Sequence, residues 1–250
     1  MRSRVSNNTR IYKNIAFVVF IMLFLSHYTF GQLSSISLNG DYSISGSKRL
    51  AVTKADAVGG TLKIDYKLLD NLSVSLIGGY QLFSVQQDSG LIQWKWDFWD
   101  NRYRGNVNAD LTDTTLRATI QSIQKMDVIP LIITLNGDFT FAEKFFVQPS
   151  IGGGIIFYSR RMFLEEEWSK KYEQIGYVFQ YKFRNFAPSK NGNPLVVYGG
   201  INLGYLLNDA FRIDASLNYT HILKTEGKLG YDNYIFNNYI STKLGITFQY

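Results

Sequence analysis

Apolar and polar residues alternate with a period of two along most of this chain. In residues 35–45, Ile36, Leu38, Gly40, Tyr42 and Ile44 share one face, and Ser37, Asn39, Asp41, Ser43 and Ser45 share the other. The same alternation recurs in 55–67, in 72–85, from 126 through Phe139 and Phe141, and in 145–158, 195–206, 210–221 and 238–250. Alternation sustained over such lengths predicts strands with one apolar and one polar side. Eight segments of about 10 residues or more have the length a tilted strand needs to cross a bilayer.

The connections sort into two kinds. Strands two and three meet at Leu69-Asp70-Asn71, four and five at Ala142-Glu143-Lys144, and six and seven near Asn208-Asp209. The other joins are long: 46–54, 87–125, 159–193 and 223–237. Short turns on one side and long loops on the other are the rule for outer-membrane barrels. A soluble sandwich has no reason to sort its loops in this way. The expected fold is therefore all-β: an eight-stranded antiparallel up-and-down transmembrane β-barrel with short periplasmic turns and long extracellular loops.

The placement of charge decides which face is the interior. The polar faces carry Asp41, Lys63, Asp65, Lys67, Asp138, Arg212, Asp214 and Lys243, four acids and four bases, whereas the middle stretches of the apolar faces carry none. A lipocalin-type barrel would be apolar inside and wet outside. Here the penalty for an intramembrane charge on the lipid face, about 2–4 kcal/mol for Lys or Arg, favours a charged lumen and an apolar wall. The eight charged residues are expected to form a lumen network that works as a plug. Aromatic residues (Tyr66, Phe139, Phe141, Phe145, Tyr205, Phe211, Phe248 and Tyr250) gather near the short-turn ends, and Tyr80, Phe157 and Tyr219 fall nearer the long-loop ends. Amphipathic rings in those places predict girdles at the two interfaces.

The N-terminus changes the reading of composition. Arg2, Arg4, Arg10 and Lys13 precede the apolar run IAFVVFIMLFL at 15–25, and Thr29 and Gly31 supply small residues before Gln32. This is the order of a cleavable secretory leader, and the apolar run is too short for an anchor. The expected organisation is a signal peptide at 1–31 and one barrel domain at 32–250. Removing the leader's four bases lowers the formal net charge from +6 to about +2. The high sequence pI then gives no reason to expect a nucleic-acid partner. The chain has no cysteine, which excludes disulfides and thiolate metal sites.

The chain resembles the small Gram-negative outer-membrane barrels, the OmpA-like, OmpX-like and OmpW-like group. The resemblance spans 35–250 and rests on the order of strands and loops and on IPLIITLNGDF (129–139), PSIGGGIIFY (149–158) and the closing LGITFQY (244–250). It implies insertion from the periplasm after Sec export. It also implies that Leu244, Ile246, Phe248 and Tyr250 act as the signal read by the barrel-assembly machinery. It implies no single function. Pro130 and Pro149 lie within strands and are expected at bulges or near the membrane boundary, because a closed barrel has no free edge.

Candidate chemistry is sparse. The mature region has one histidine, His221, which by parity points outward at the long-loop rim, and no His–Ser–acid constellation accompanies it. Glu165-Glu166-Glu167 reads as a solvated loop face. No enzyme activity, cofactor or metal is expected. Eight strands enclose room for side chains or one small ligand. Loop 87–125 holds Trp94, Trp96, Phe98, Trp99 and Tyr103 among basic residues, a possible binding surface. The alternative for these rings is that they pack on each other or touch lipopolysaccharide. Tyr177, Phe179, Tyr181 and Phe183, and likewise Leu116, Ala118 and Ile120, alternate as strands rising above the membrane would. The sequence favours a structural or surface-interaction barrel whose partners are outer-membrane lipid, lipopolysaccharide and an extracellular or secretion-machine protein. A narrow channel or carrier for small solutes or an apolar ligand stands second, and an accessory barrel of a secretion or gliding machine third.

Overall fold

The computed structural model of the chain describes residues 32–250, so the leader expected at 1–31 lies outside the described residues. Its strands are β1 (Gln32–Ser45), β2 (Val52–Leu69), β3 (Leu72–Gln87), β4 (Leu116–Gly137), β5 (Phe139–Phe141), β6 (Phe145–Tyr172), β7 (Tyr177–Phe186), β8 (Lys190–Gly192), β9 (Leu195–Leu206), β10 (Phe211–Ile222) and β11 (Asn238–Gln249). Eight of them, β1, β2, β3, β4, β6, β9, β10 and β11, form an antiparallel ring in chain order. β11 closes the ring on β1, pairing Leu244 with Gly40 and Lys243 with Asp41. The last residue continues the seam, where the Tyr250 amide donates to the Ser34 carbonyl 3.1 Å away.

Parity holds around the ring. Leu38, Leu62, Leu131, Ile133, Leu203, Leu217, Leu244 and Ile246 are exposed on the outer wall. Ser37, Thr61, Ser75, Thr134, Gln148, Asp214 and Thr247 are buried inside. Lipid is the cover so continuous an apolar wall requires, and a closed ring pairs nearly all the backbone groups within it. At the short-turn end the outer rings touch in neighbouring pairs. Phe145 meets Tyr205 at 5.3 Å, Phe211 meets Phe248 at 5.4 Å, and Phe248 meets Tyr250 at 4.8 Å between centroids.

The short turns are built locally. Ala142 and Glu143 both adopt left-handed φ, 49° and 61°, to reverse the chain from β5 into β6. At the next turn the Asn208 side-chain oxygen accepts from the amides of Ala210 (2.9 Å) and Phe211 (2.8 Å), a bond pattern that asparagine offers readily. Pro149 fits the expectation for a strand proline. It sits where β4 ends at Gly137 and Asp138 breaks the chain before β5, with the Asp138 amide bonded to the Asn71 carbonyl instead. Pro130 departs from it, because it lies well inside β4 with no shift of register. The β3–β4 ladder skips from the Gly78–Leu131 pair to the Gln81–Val128 pair, and this gap accommodates the missing N–H.

Two strands run far beyond the segments read from alternation. β6 has 28 residues and is about 90 Å long at strand rise. β4 begins ten residues before Met126. Above the barrel they pair with each other from Leu116–Lys170 downward, and β7 adds to the far side of β6. Joins 87–125 and 159–193 are thus largely a folded cap. A short helix α1 (Gly90–Trp94), a π-helical turn (Trp99–Tyr103) and a helix α2 (Arg104–Asp110) belong to the same cap.

The lumen differs from the uniformly polar plug that the charged residues suggest. Its short-turn half is polar. Its long-loop half is an apolar core in which Ala55, Ala57, Phe83, Met126, Val128, Ile132, Ile156 and Val196 face inward. Join 223–237 folds down into that core, where Tyr234, Ile235 and Phe236 are fully buried.

Candidate functional site

The charged lumen residues separate into pairs. Inside the short-turn half, Arg212 meets Asp214 at 2.7 Å, Lys63 meets Asp65 at 3.0 Å, and Lys243 meets Asp41 at 3.8 Å. Hydroxyls and amides complete each carboxylate: Ser35 (2.8 Å) and Ser75 donate to Asp65, Thr61 to Asp41 (3.2 Å), and Thr247 to Asp214. The Arg212 guanidinium also lies 3.9 Å over the Phe146 ring. The other two line the short-turn mouth of the lumen. Lys67 lies exposed at the open end and pairs with the turn residue Asp70 at 3.2 Å, because β2 extends past the wall there. Asp138 occupies the break between β4 and β5, where the Gln148 amide donates to it at 2.7 Å. Between these groups, among Ser37, Lys63, Gln148, Asp214 and Lys243, the interior void is about 30 Å³, room for about two waters. The short-turn mouth is a wider polar bowl of about 520 Å³.

The outer end is closed by packing. Phe83, Phe236 and Tyr239 meet edge to face or tilted within 5.8 Å, as do Tyr158, Tyr234 and Phe236 within 5.0 Å. Arg49 holds the join from above. Its guanidinium carbon is 3.9 Å from the Tyr231 ring centroid, and Nη1 donates to the carbonyls of Tyr231 (2.8 Å) and Tyr234 (3.2 Å). The Tyr158 hydroxyl donates to the Gly230 carbonyl from the opposite wall.

In the cap, one face of the β4–β6–β7 sheet is covered. Trp94, Trp96 and Trp99 are buried against Met162 and Leu164, with Leu91, Tyr103 and Ile120 around them. Trp94 is 3% exposed and donates its indole N–H to the Pro188 carbonyl at 3.1 Å. The three tryptophans therefore face the cap interior, and of the five aromatic loop residues Phe98 alone is exposed. Loop aromatics that carry no periodicity give no sign of the side they face.

The acidic run also differs from a solvated face. Glu166 is fully buried and accepts from Tyr103 Oη (2.8 Å), Trp168 Nε1 (2.9 Å) and Asn185 Nδ2 (2.7 Å). Burial, followed by the Glu166 carboxylate, raises the Tyr103 pKa above its usual value. Glu165 and Glu167 point to the other side and pair with Arg184 (2.8 Å) and Lys182. Continuing the alternation of 145–158 past Tyr158 would have found this, since Met162, Leu164, Glu166 and Trp168 keep its inward parity.

The β6–β7 hairpin projects as the far tip of the cap. Tyr172, Ile175, Tyr177, Val178 and Phe179 are exposed there, Ile175 at 75%, and Gly176 takes the left-handed turn position at φ 66°. Tyr181 stacks between Trp168 (6.5 Å) and Phe183 (6.0 Å). Among the described residues, β7 pairs only with β6. His221 lies on the outer rim beside Tyr219, 6.5 Å between ring centroids.

No protein-family model matches the chain, and no curated protein matches it. Solved structures do resemble it, at low identity. Neisserial surface protein A (NspA) aligns with a TM-score of 0.45 and 10% identity over 89% of this chain and 100% of its own. OprG, an outer membrane protein from Pseudomonas aeruginosa, gives 0.45 and 13% over 88% of this chain and 97% of its own. Ail, the attachment invasion locus protein of Yersinia pestis, gives 0.38 and 14% over 88% of this chain and 100% of its own.

Proposed function

We propose that this chain is an outer-membrane barrel of a Gram-negative envelope, delivered by a Sec leader, and that its working part is the extracellular cap. The barrel supplies the anchor. Its wall meets lipid and lipopolysaccharide, and its closing strand is the segment offered to the assembly machinery. The cap then holds a binding surface outside the cell, for an extracellular protein or a component of a surface machine.

The observation that carries this reading is the contrast between lumen and cap. The lumen is filled from both ends, by ion pairs below and by join 223–237 above. The cap is a folded sheet with its own core and an exposed apolar tip. Ile175 is largely solvent-exposed, and Tyr177 and Phe179 stack on neighbouring rings of the hairpin yet keep about half their surface open, as the aromatic anchors of interfaces do. The test replaces 173–179 by a short Gly/Ser turn, leaving the remainder of β6 and β7 paired. The reading expects unchanged barrel insertion together with loss of surface adhesion and of partner capture from intact cells. Unchanged adhesion and capture would contradict it.

A further inference from the structure

The base of the cap contains a cluster of positive charge without a counter-charge. Arg160 on β6 and Lys190 on β8 are register partners, directly opposite each other. Like charges in that position repel. Both reach the same indole: the Arg160 guanidinium carbon is 4.7 Å from the Trp94 ring centroid and the Lys190 ammonium 5.1 Å. Arg160 is only 2% exposed, and arginine is almost never so buried without an acid. Its partners are neutral instead. Nε and Nη2 donate to Gln124 Oε1 at 3.2 and 2.7 Å, and Nη2 also donates to Gln87 Oε1 at 2.7 Å. Among the described residues neither Arg160 nor Lys190 has a carboxylate within ion-pair distance.

A third cation stands next to them. Lys95 ends α1 in a left-handed conformation, immediately after Trp94. The Lys190 pKa is lowered by burial first, then by the charges of Arg160 and Lys95. Burial lowers Arg160 to about 10, which leaves it charged at neutral pH. The charges of Arg160 and Lys95 thus work against that of Lys190 in the folded protein. Elsewhere the chain neutralises its buried cations, as Asp214 does Arg212 and Asp41 does Lys243.

We propose that Arg160, Lys190 and Lys95, arranged around Trp94, form a binding site for a tetrahedral oxyanion, the phosphate or sulfate group of a phosphorylated or sulfated ligand. Arg160 is fixed by the two glutamines and the indole and supplies the preorganised positive charge at the base of the site. Lys190, half-buried, and Lys95, exposed, supply the charges nearer solvent. The group can come from a soluble ligand or from a phosphorylated lipid headgroup. Arg160 and Lys190 lie against the buried Trp94 rather than on the lipid-facing wall, which favours the soluble source.

The test uses the full chain refolded in zwitterionic micelles at low salt and titrated calorimetrically with inorganic phosphate and inorganic sulfate. Saturable one-site binding is expected, weakened at least tenfold by the double variant Lys95→Gln/Lys190→Gln, with barrel folding checked by heat-modifiable gel mobility. Gln124→Glu supplies an internal carboxylate. It is expected to weaken phosphate binding at least tenfold and to raise the thermal midpoint in phosphate-free buffer. Nanodiscs with phosphorylated or dephosphorylated lipid A separate the sources. Equal affinity for free phosphate in both is expected for a soluble ligand, and several-fold competition by the phosphorylated lipid would assign the site to the headgroup. Absence of saturable binding to the wild type, or equal binding by wild type and both variants, would overturn the proposal.

Discussion

Arg49 lies over the Tyr231 ring, guanidinium carbon 3.9 Å from the centroid, and this contact ties the first long loop to the last. The two residues are far apart in sequence and meet only because join 223–237 turns down into the barrel mouth. Arg49→Ala removes the cation–π contact and two donors to carbonyls, a loss of roughly 2–4 kcal/mol when both kinds of contact are counted. Hydrogen exchange should show faster exchange across 228–236, with the short-turn half of the barrel unchanged.

Arg212 and Asp214 carry the second prediction. Both are buried, and their 2.7 Å pair sits beneath the apolar half of the lumen. Asp214→Ala leaves a buried guanidinium uncompensated, which costs about 3–5 kcal/mol. Urea unfolding followed by gel mobility should shift to lower denaturant. The double change Arg212→Met/Asp214→Leu should recover most of the loss, because it removes the unpaired charge as well as the pair.

Glu166 is the corresponding point in the cap. Glu166→Ala strands three donors, those of Tyr103, Trp168 and Asn185. The expected cost is about 2–5 kcal/mol, because hydrogen bonds to a charged group are among the stronger ones. Limited proteolysis should then cut within 94–110, while the heat-modifiable mobility of the barrel is retained.

Asp113 gives a pH dependence. Its side chain accepts from the Thr115 hydroxyl (2.7 Å) and amide (2.9 Å), and Lys170 bonds to it at 3.3 Å. These contacts, the Thr115 hydroxyl first, hold its pKa below the usual aspartate value. A depressed carboxylate stabilises the fold above its unfolded pKa and loses that contribution as pH falls through the folded value. Protection of the Thr115 amide should hold down to about pH 4 and fall below it, and Asp113→Asn should weaken that dependence.

The wall of this protein is legible in its sequence because lipid enforces a strict rule. The outward positions from Leu38 to Ile246 are apolar with few exceptions, and charged ones such as Asp56 and Asp127 lie towards the long-loop ends, so parity alone gives eight strands, their facing and the short turns. The interior obeys a weaker rule. Ala57, Phe83 and Met126 lie on the inward parity but look like lapses in a polar face until join 223–237 is seen to fill the space against them. Tyr234 and Phe236 give no periodic signal of their burial. The cap was partly legible: Tyr177, Phe179, Tyr181 and Phe183 alternate as β7 does in space, yet their strand pairs with an extension of β6 that the acidic run conceals. Glu166 is a charge at a buried position, tolerated because three donors converge on it. Trp94 and its neighbours lie in short helical turns, too brief for a hydrophobic period to form.

The central claim is a lipid-crossing barrel with its cap outside the cell and its short turns in the periplasm. The chain contains no cysteine, so single cysteines report cleanly. The most direct measurement is labelling of Ile175→Cys, Asp70→Cys and Phe236→Cys by a membrane-impermeant maleimide, on intact cells and after permeabilisation. Ile175→Cys is expected to label on intact cells, Asp70→Cys only after permeabilisation, and Phe236→Cys in neither while the protein is folded. Labelling of Asp70→Cys on intact cells with Ile175→Cys protected, or ready labelling of Phe236→Cys in the folded protein, would contradict it.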